Sequence, residues 1–339
     1  GFTGSRAEYY ILRPLFIKLS KISNINLELI VTGGITKELN SKTLEDINND
    51  GAAKITILDV PGKYKNHNEV IGYLCLKMDP IIRKINPDLC IVYADRYESF
   101  AYAITASHLN RILLHLEAGD ITEGGTYDDY IRHCISKMSH IFCTSTKNGI
   151  KNVMRLGEEN WRIMHSGLLS YDDMKKISSK DQEKVLEDLD IKNNLPIIIA
   201  TMHPIPLNIA ETKRESKNFF KALQIFSLKN SANIIITSPN SDEGRKLIID
   251  EINTNLPKMK NTFYTESLGG FRYQALMSLA SSRNIIICGN SSSIIKEAPY
   301  YNAQCLNIGI RQRGREKSSM QIDCIAEEFE ILENLEKTI

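Results

Sequence analysis

The sequence has no long apolar run. No stretch approaches the roughly 18–20 consecutive apolar residues of a membrane-spanning helix, so no segment reads as one. It has no excess of either charge: 42 Lys and Arg stand against 41 Asp and Glu, a net of +1. That balance excludes an electrostatic case for a nucleic-acid groove or an anionic membrane surface, and leaves any anionic ligand to a local site. Its seven cysteines form no CxxC pair, and Cys90, Cys143 and Cys288 sit inside apolar runs, which predicts buried thiols in a reducing, cytoplasmic compartment. No GxSxG elbow and no HExxH occur. The spacing of His115, Glu117, Asp120 and His133 fits no familiar metal pattern, so neither a metal nor another cofactor is expected. No solenoid repeat or low-complexity tract is present.

What is there is a regular alternation. Short β-rich runs at 27–34, 54–59, 88–95, 111–119 and 140–145 are separated by stretches of helical periodicity such as 68–85 and 97–109. A second series of strands follows at 195–204, 233–240, 283–290 and 303–309, with helical segments at 213–228 and 270–281. Strand, helix, strand in this order predicts parallel βαβ units with helices on both faces. With 339 residues the chain is long enough for two such domains. The division is drawn at 1–168 and 169–339, in GLLSYDDM (167–174), where the first pattern stops.

Open parallel sheets bind ligands beyond the carboxyl ends of their strands, so the polar residues following each strand are the candidates. GNSSSIIKEA (289–298) follows an apolar strand. Its small residues suit close approach to a phosphate, with Ser291 and Ser292 as hydroxyl donors, or one serine is simply a helix N-cap. Glu297 is either a ribose acceptor or a surface glutamate. Arg6, in the turn of GSRAEYY, has the fork geometry for a diphosphate. IGIRQRGRE (308–316) places three arginines at another strand end. Asp95, Glu117 and Asp128 come from three strand or helix ends, and their convergence would push their pKa values apart, as acid–base work requires. Asp120, Glu123 and Asp129 are expected as solvent-facing or helix N-terminal charges. His203 reads as structural or as a phosphate partner more readily than as a base.

Taken together, GSRAEYYILRPL, ADRYES, HLEAGD, TYDDYIRH, MHP, GNSSS…KEAP and GIRQRGRE, in this order from residue 4 to residue 316, resemble the hydrolysing UDP-N-acetylglucosamine 2-epimerases of bacterial sialic-acid pathways. The resemblance implies an α/β fold of two Rossmann-like domains, of glycosyltransferase-B type, with an interdomain active-site cleft. It implies release of UDP and N-acetylmannosamine from UDP-N-acetylglucosamine, without a cofactor, by elimination to 2-acetamidoglucal and hydration. Carried over, Asp95, Glu117 and Asp128 match the acid–base carboxylates, with Asp128 assigned to elimination and Asp95 and Glu117 to hydration. Arg96 and Arg132 match neighbouring arginines and are expected to bind the substrate. Arg6, Ser291 and Ser292 would contact the diphosphate, Glu297 the ribose, and Arg311 the nucleotide. His203 would lie near phosphates and sugar, and Asn240 at a strand end lining the cleft.

A homo-oligomer, dimer or tetramer, is implied as well. A related branch acts on UDP-2,4-diacetamido-2,4,6-trideoxyglucose in legionaminic-acid synthesis and is an alternative substrate reading. A non-hydrolysing epimerase, a glycosyltransferase and a non-catalytic nucleotide-sugar sensor are the others. Two departures stand out. Ala94 occupies a position where the family commonly has glycine, and only Gly1–Thr3 precede the first motif, so further residues are expected before it.

Overall fold

The structure, a computed structural model, describes residues 1–37, 42–64, 66–124, 127–172, 174, 177–240 and 242–339. The chain forms two compact units. One comprises residues 1–121 and 128–173, the other residues 122–127 and 174–339. The first unit runs past the expected 168/169 boundary because Leu169 packs into its core and Asp172 accepts from Lys18 Nζ at 2.7 Å. The short stretch 122–127 belongs with the second unit: Glu123 N–H donates to Arg313 O at 2.8 Å, and a Cβ on Gly124 would meet Ile310 O and Arg311 O at 2.3 Å. A single cut in the sequence does not describe that.

In the first unit, β1 (Phe2–Thr3), β2 (Glu28–Val31) and β3 (Lys54–Ile57) pair in that order, all parallel. β4 (Leu89–Tyr93), β5 (Ile112–Leu116), β6 (Ile141–Thr144) and β7 (Ile163–His165) form a second parallel set. β1 lies beside β4, with Phe2, Cys90 and Val92 in one core. Alternate residues of the strands feed two faces. On one, Phe2, Cys90, Val92 and Leu113 pack with Leu74, Met78 and Ala103 of the helices His67–Ile85 and Tyr97–His108. On the other, Leu29, Val31, Ile91 and Tyr93 meet Tyr9, Leu12 and Phe16 of the helix Arg6–Leu19. The helix His67–Ile85 starts where Asn66 accepts from Glu69 N–H at 3.0 Å and stops at Asn86, whose φ of 50° no helix continues.

The second unit holds β8 (Ile197–Thr201), β9 (Asn233–Thr237), β10 (Thr262–Thr265), β11 (Ile285–Gly289), β12 (Gln304–Ile308) and β13 (Gln321–Cys324). They are all parallel, in the order β10-β9-β8-β11-β12-β13. The unbroken isoleucine runs of the sequence are explained by burial on both faces. Ile198, Ile234, Ile236 and Ile286 face Phe219, Leu223 and Phe226 of the helix Ile209–Lys229. Ile197, Ile199, Ile235, Ile285 and Ile287 face Leu276 and Ile294. Each such side chain contributes about 1.5–3 kcal/mol of hydrophobic stabilisation.

All nine expected strands are present. β1, β7, β10 and β13 are additional, and the last three are edge strands. Edge strands are short and partly exposed, so they lack the apolar signature that marks a central strand. Among the described residues no helix is long and apolar enough to cross a membrane.

Candidate active site

Strand order decides where each unit gathers its polar residues. In the second unit the order reverses between β8 and β11, and in the first unit β1 and β4 are the neighbours from which the chain departs in opposite directions. Ligands of open α/β sheets bind at such switch points. Gly4–Arg6 and Ala94–Glu98 leave the first of them, and His203 and Asn290 the second.

In the first unit, Tyr93 pairs in register with Leu116, so the chains beyond β4 and β5 emerge side by side. Both then turn through the left-handed region at non-glycine residues, Ala94 at φ 51° and Glu117 at φ 55°. That conformation is disfavoured for L-residues and is tied down here by Ala94 N–H donating to Leu116 O at 3.0 Å. Asp95 and the buried Glu117 are thereby set at adjacent strand ends.

Arg132, four residues into the helix Asp128–Met138, is 1% exposed. It forms an ion pair with Asp95, bonds Asp129 at 2.5 Å and donates to Asp120 O at 2.8 Å. Burial works against its charge, but the surrounding Asp95, Asp120 and Asp129 raise its pKa above the ordinary arginine value. Burial, followed by the charges of Glu117 and Asp95, pushes the Tyr93 phenol well above its usual range, so it stays protonated beside them.

A second buried carboxylate group lies below Arg6. Ser5 caps the helix Arg6–Leu19 by accepting from Glu8 N–H at 3.3 Å. Glu8, itself buried, accepts from Gly4 N–H at 2.8 Å and from Ser99 Oγ at 3.0 Å. Arg96 forks onto Glu98, both bonds at 3.0 Å. Burial pushes the Glu8 carboxyl up to about 7, with Arg96 opposing and Glu98 adding. Arg6 itself is exposed at the first position of its helix.

In the second unit, Asn290 follows β11 and is fully buried. Its carboxamide accepts from His203 N–H at 2.6 Å and donates to His203 O at 2.9 Å. Its own carbonyl takes Arg311 Nη1 at 3.1 Å and Gln312 Nε2 at 2.8 Å. His203 Nδ1 accepts from Asn240 N–H at 3.1 Å, so the neutral ring carries its proton on Nε2. Burial, then the Arg311 charge, lowers the His203 pKa to about 3. Ser291 Oγ accepts from Ser293 Oγ at 3.0 Å, while the Ser292 side chain makes no capping bond to the short helix that follows. Tyr273 OH meets Ser293 Oγ at 2.8 Å, and Glu297 stands at the end of that helix. Buried Glu215 accepts from Ile310 N–H at 3.0 Å and fills the space a Cβ on Gly309 would need, which holds the turn carrying Arg311.

Of the expected residues, Asp95, Arg96, Glu117, Asp128 and Arg132 fall in the first unit with Arg6. His203, Asn240, Ser291, Ser292, Glu297 and Arg311 fall in the second. Three expectations change. Asp120, expected as a solvent-facing or helix-end charge, gives its main-chain carbonyl to Arg132 and its Oδ1 accepts from Ser145 Oγ at 3.0 Å, while Asp129 is the helix N-terminal charge expected and pairs with Arg132 as well. Arg132, expected to touch substrate, is buried among carboxylates and anchors them. Ser292, at the helix start, makes no capping bond, and Ser291 Oγ accepts from Ser293 N–H at 3.4 Å instead. Asn290, Glu8 and Glu98 stand among the polar residues that follow strands, but the sequence assigns them no role: a buried polar residue there carries no local signal of its burial. Among the described residues no group of three His, Cys, Asp or Glu side chains is placed to hold a metal ion.

Two Rossmann-like α/β units with polar clusters at their switch points define a fold of the glycosyltransferase-B type. A solved UDP-GlcNAc 2-epimerase of Neisseria meningitidis, bound to UDP-GlcNAc, shares this fold with a TM-score of 0.81. The match covers 99% of this chain and 90% of that one at 18% identity. Residues 17–339 match the UDP-N-acetylglucosamine 2-epimerase family, and the chain belongs to that family of UDP-sugar 2-epimerases. A Campylobacter jejuni protein named GDP/UDP-N,N'-diacetylbacillosamine 2-epimerase (hydrolyzing) is 33% identical over 98% of this chain and 87% of its own length. A Legionella pneumophila UDP-N,N'-diacetylbacillosamine 2-epimerase (hydrolyzing) is 28% identical over 95% and 83%.

Proposed function

We propose that the protein is a hydrolysing 2-epimerase of a UDP-linked 2-acetamido sugar. The observation that carries this reading is the pair Asp95 and Glu117, set on adjacent strand ends by two strained residues and braced by buried Arg132. In this reaction one carboxylate removes the proton at sugar C2 as the C1–O bond to UDP breaks, releasing UDP and leaving a C1–C2 alkene. Water then adds its oxygen at C1 and gives a proton to a carboxylate, while C2 regains a proton on the opposite face. Two proton movements at one carbon and activation of a water need more than one acid–base group. We assign Asp128 to elimination and Asp95 with Glu117 to hydration.

The first unit supplies these groups, and Arg6 and Arg96 supply positive charge beside them. In the second unit Ser291, Ser292 and Arg311 suit the diphosphate, Glu297 the ribose hydroxyls, and Asn240 the strand end beside the ligand. His203, neutral with Nε2–H, suits donation to a phosphate or sugar oxygen and not acceptance of a proton from carbon. Positive charge and fixed donors at the leaving diphosphate stabilise the charge that develops there.

The names of the Campylobacter and Legionella relatives favour UDP-N,N'-diacetylbacillosamine as the substrate. The Neisseria structure with UDP-GlcNAc favours UDP-N-acetylglucosamine as the second reading. The two sugars differ away from C1 and C2, so the same carboxylates serve either. Proton NMR of the protein with each sugar in D2O tests the reading. Free UDP and a 2-epimerised sugar deuterated at C2 are expected. An epimer still attached to UDP would replace it with the non-hydrolysing reaction, and no turnover of either sugar would reject it.

A further inference from the structure

We propose that His115 is a positioning residue that sets the acid–base carboxylates through the carbonyl of Ala94 and the hydroxyl of Ser136. The proposal rests on the reading of Asp95, Glu117 and Asp128 given above. His115 is a polar residue in the middle of the apolar strand β5 and is fully buried, so it acts on a substrate only through its neighbours. Its Nε2 lies 2.9 Å from Ala94 O and its Nδ1 3.0 Å from Ser136 Oγ. A carbonyl only accepts, so Nε2 carries the hydrogen, and Nδ1 of the neutral ring accepts from the serine. Burial lowers the pKa of the ring to about 4, with the Ala94 bond opposing and the Arg132 charge assisting, which keeps this tautomer uncharged.

Each end of the ring touches a segment that bears a site residue. Ala94 immediately precedes Asp95 and is held at φ 51°, a conformation alanine does not choose alone. The bond from Nε2 fixes the plane of the peptide that joins Ala94 to Asp95. Ser136 lies one helical turn beyond Arg132, on the helix that Asp128 opens, and Arg132 in turn reaches Asp95. His115 itself stands two residues before Glu117 on β5. One imidazole thus joins three segments that are distant in sequence, each carrying a carboxylate. Packing alone asks for no such residue, since the neighbouring positions of β5 are isoleucine and leucine.

Two substitutions separate positioning from packing. His115→Phe keeps the ring volume and removes both hydrogen bonds, whereas His115→Gln places a side-chain N–H where Nε2 was. For a folded Phe variant kcat is expected to fall about 100-fold, the scale of a misplaced reacting group. UDP affinity is expected to stay unchanged, and the Gln variant to recover most of the loss. A folded Phe variant with wild-type kcat overturns the proposal, as does an equal loss in the Phe and Gln variants.

Long-range proton–nitrogen NMR of the wild-type protein gives a readout that needs no turnover. The Nε2–H tautomer is expected to persist through the range of about pH 5–8 in which an ordinary histidine titrates. A proton on Nδ1, or titration in that range, overturns the proposal even if the Phe variant does not fold. An inactive wild-type protein rejects the functional reading instead. Active wild type with indifferent His115 variants rejects the positioning role alone.

Discussion

The side chain of Asn290 continues the pairing of β8 with β11 past the end of both strands. Asn290 N–H donates to Thr201 O at 3.0 Å, and its carboxamide then pairs with both polar groups of the His203 main chain, at 2.6 and 2.9 Å. Since Arg311 and Gln312 bond its carbonyl, every polar group of this buried residue is used. Asn290→Ala leaves the His203 peptide groups without these partners, and a buried unmet group costs about 1–3 kcal/mol. The variant is expected to lose about 2 kcal/mol in denaturant unfolding, on the same scale. UDP affinity should fall about tenfold by calorimetry, corresponding to about 1.4 kcal/mol. Native stability with native UDP affinity would show that the carboxamide does not organise His203 and Arg311.

Arg132 and Asp95 form a buried pair that is supported by Asp129 and the Asp120 carbonyl. Removing one member of such a pair strands the other, at a cost of about 3–5 kcal/mol. Arg132→Met is therefore expected to lower stability by that order and to abolish turnover. Arg132→Lys keeps the charge but not the fork that reaches several acceptors, so it should fold with activity reduced at least about tenfold. Wild-type activity in a folded Lys variant would remove the argument that the fork orients Asp95.

Ala94 occupies the left-handed region at φ 51° with its side chain buried. The strain of that conformation, about 1–2 kcal/mol for an L-residue, is absent in glycine. The greater freedom of an unfolded glycine offsets about 0.5–1 kcal/mol of the gain. Ala94→Gly is expected to raise stability by up to about 1 kcal/mol, the difference of these two effects. Thermal unfolding beside wild type is the check, and a clear fall in the midpoint would contradict it.

Glu8 predicts a pH dependence whose sign is fixed by its burial. Its carboxyl is pushed from 4.5 up to about 7 in the folded protein, mainly by burial. The folded state therefore binds more protons than the unfolded chain between these values, and stability falls as pH rises through that window. The shift corresponds to about 3 kcal/mol at most. Glu8→Gln removes this dependence while keeping an acceptor oxygen for Gly4 N–H and turning an amide N–H toward the Ser99 hydroxyl, which can accept it. The stability of the variant relative to wild type is expected to rise from pH 4.5 to about pH 7. A difference that stays flat across the window would show that Glu8 is ionised throughout.

The sequence by itself determined the central strands. Runs such as NIIIT and IIICG have β-branched residues for both faces, and a strand buried on both faces must be apolar throughout. It also determined that Asp95 and Glu117 stand at the ends of consecutive strands, whereas the pairing of Tyr93 with Leu116 makes those ends neighbours. The edge strands β7, β10 and β13 were not legible, since partial exposure removes the pattern that reveals a strand.

Only the tertiary structure decided which groups face one another. Asp128 and Asp129 are adjacent in sequence, yet it is Asp129 that pairs with Arg132, which also reaches Asp95, 37 residues before the arginine. His115 was one of several polar residues after an apolar run until its two nitrogens met Ala94 O and Ser136 Oγ, each 21 residues away. Local periodicity records how deeply a residue is buried, because burial acts on each side chain separately. Partners are set by the packing of segments distant in the chain, and no local pattern of residues encodes that choice.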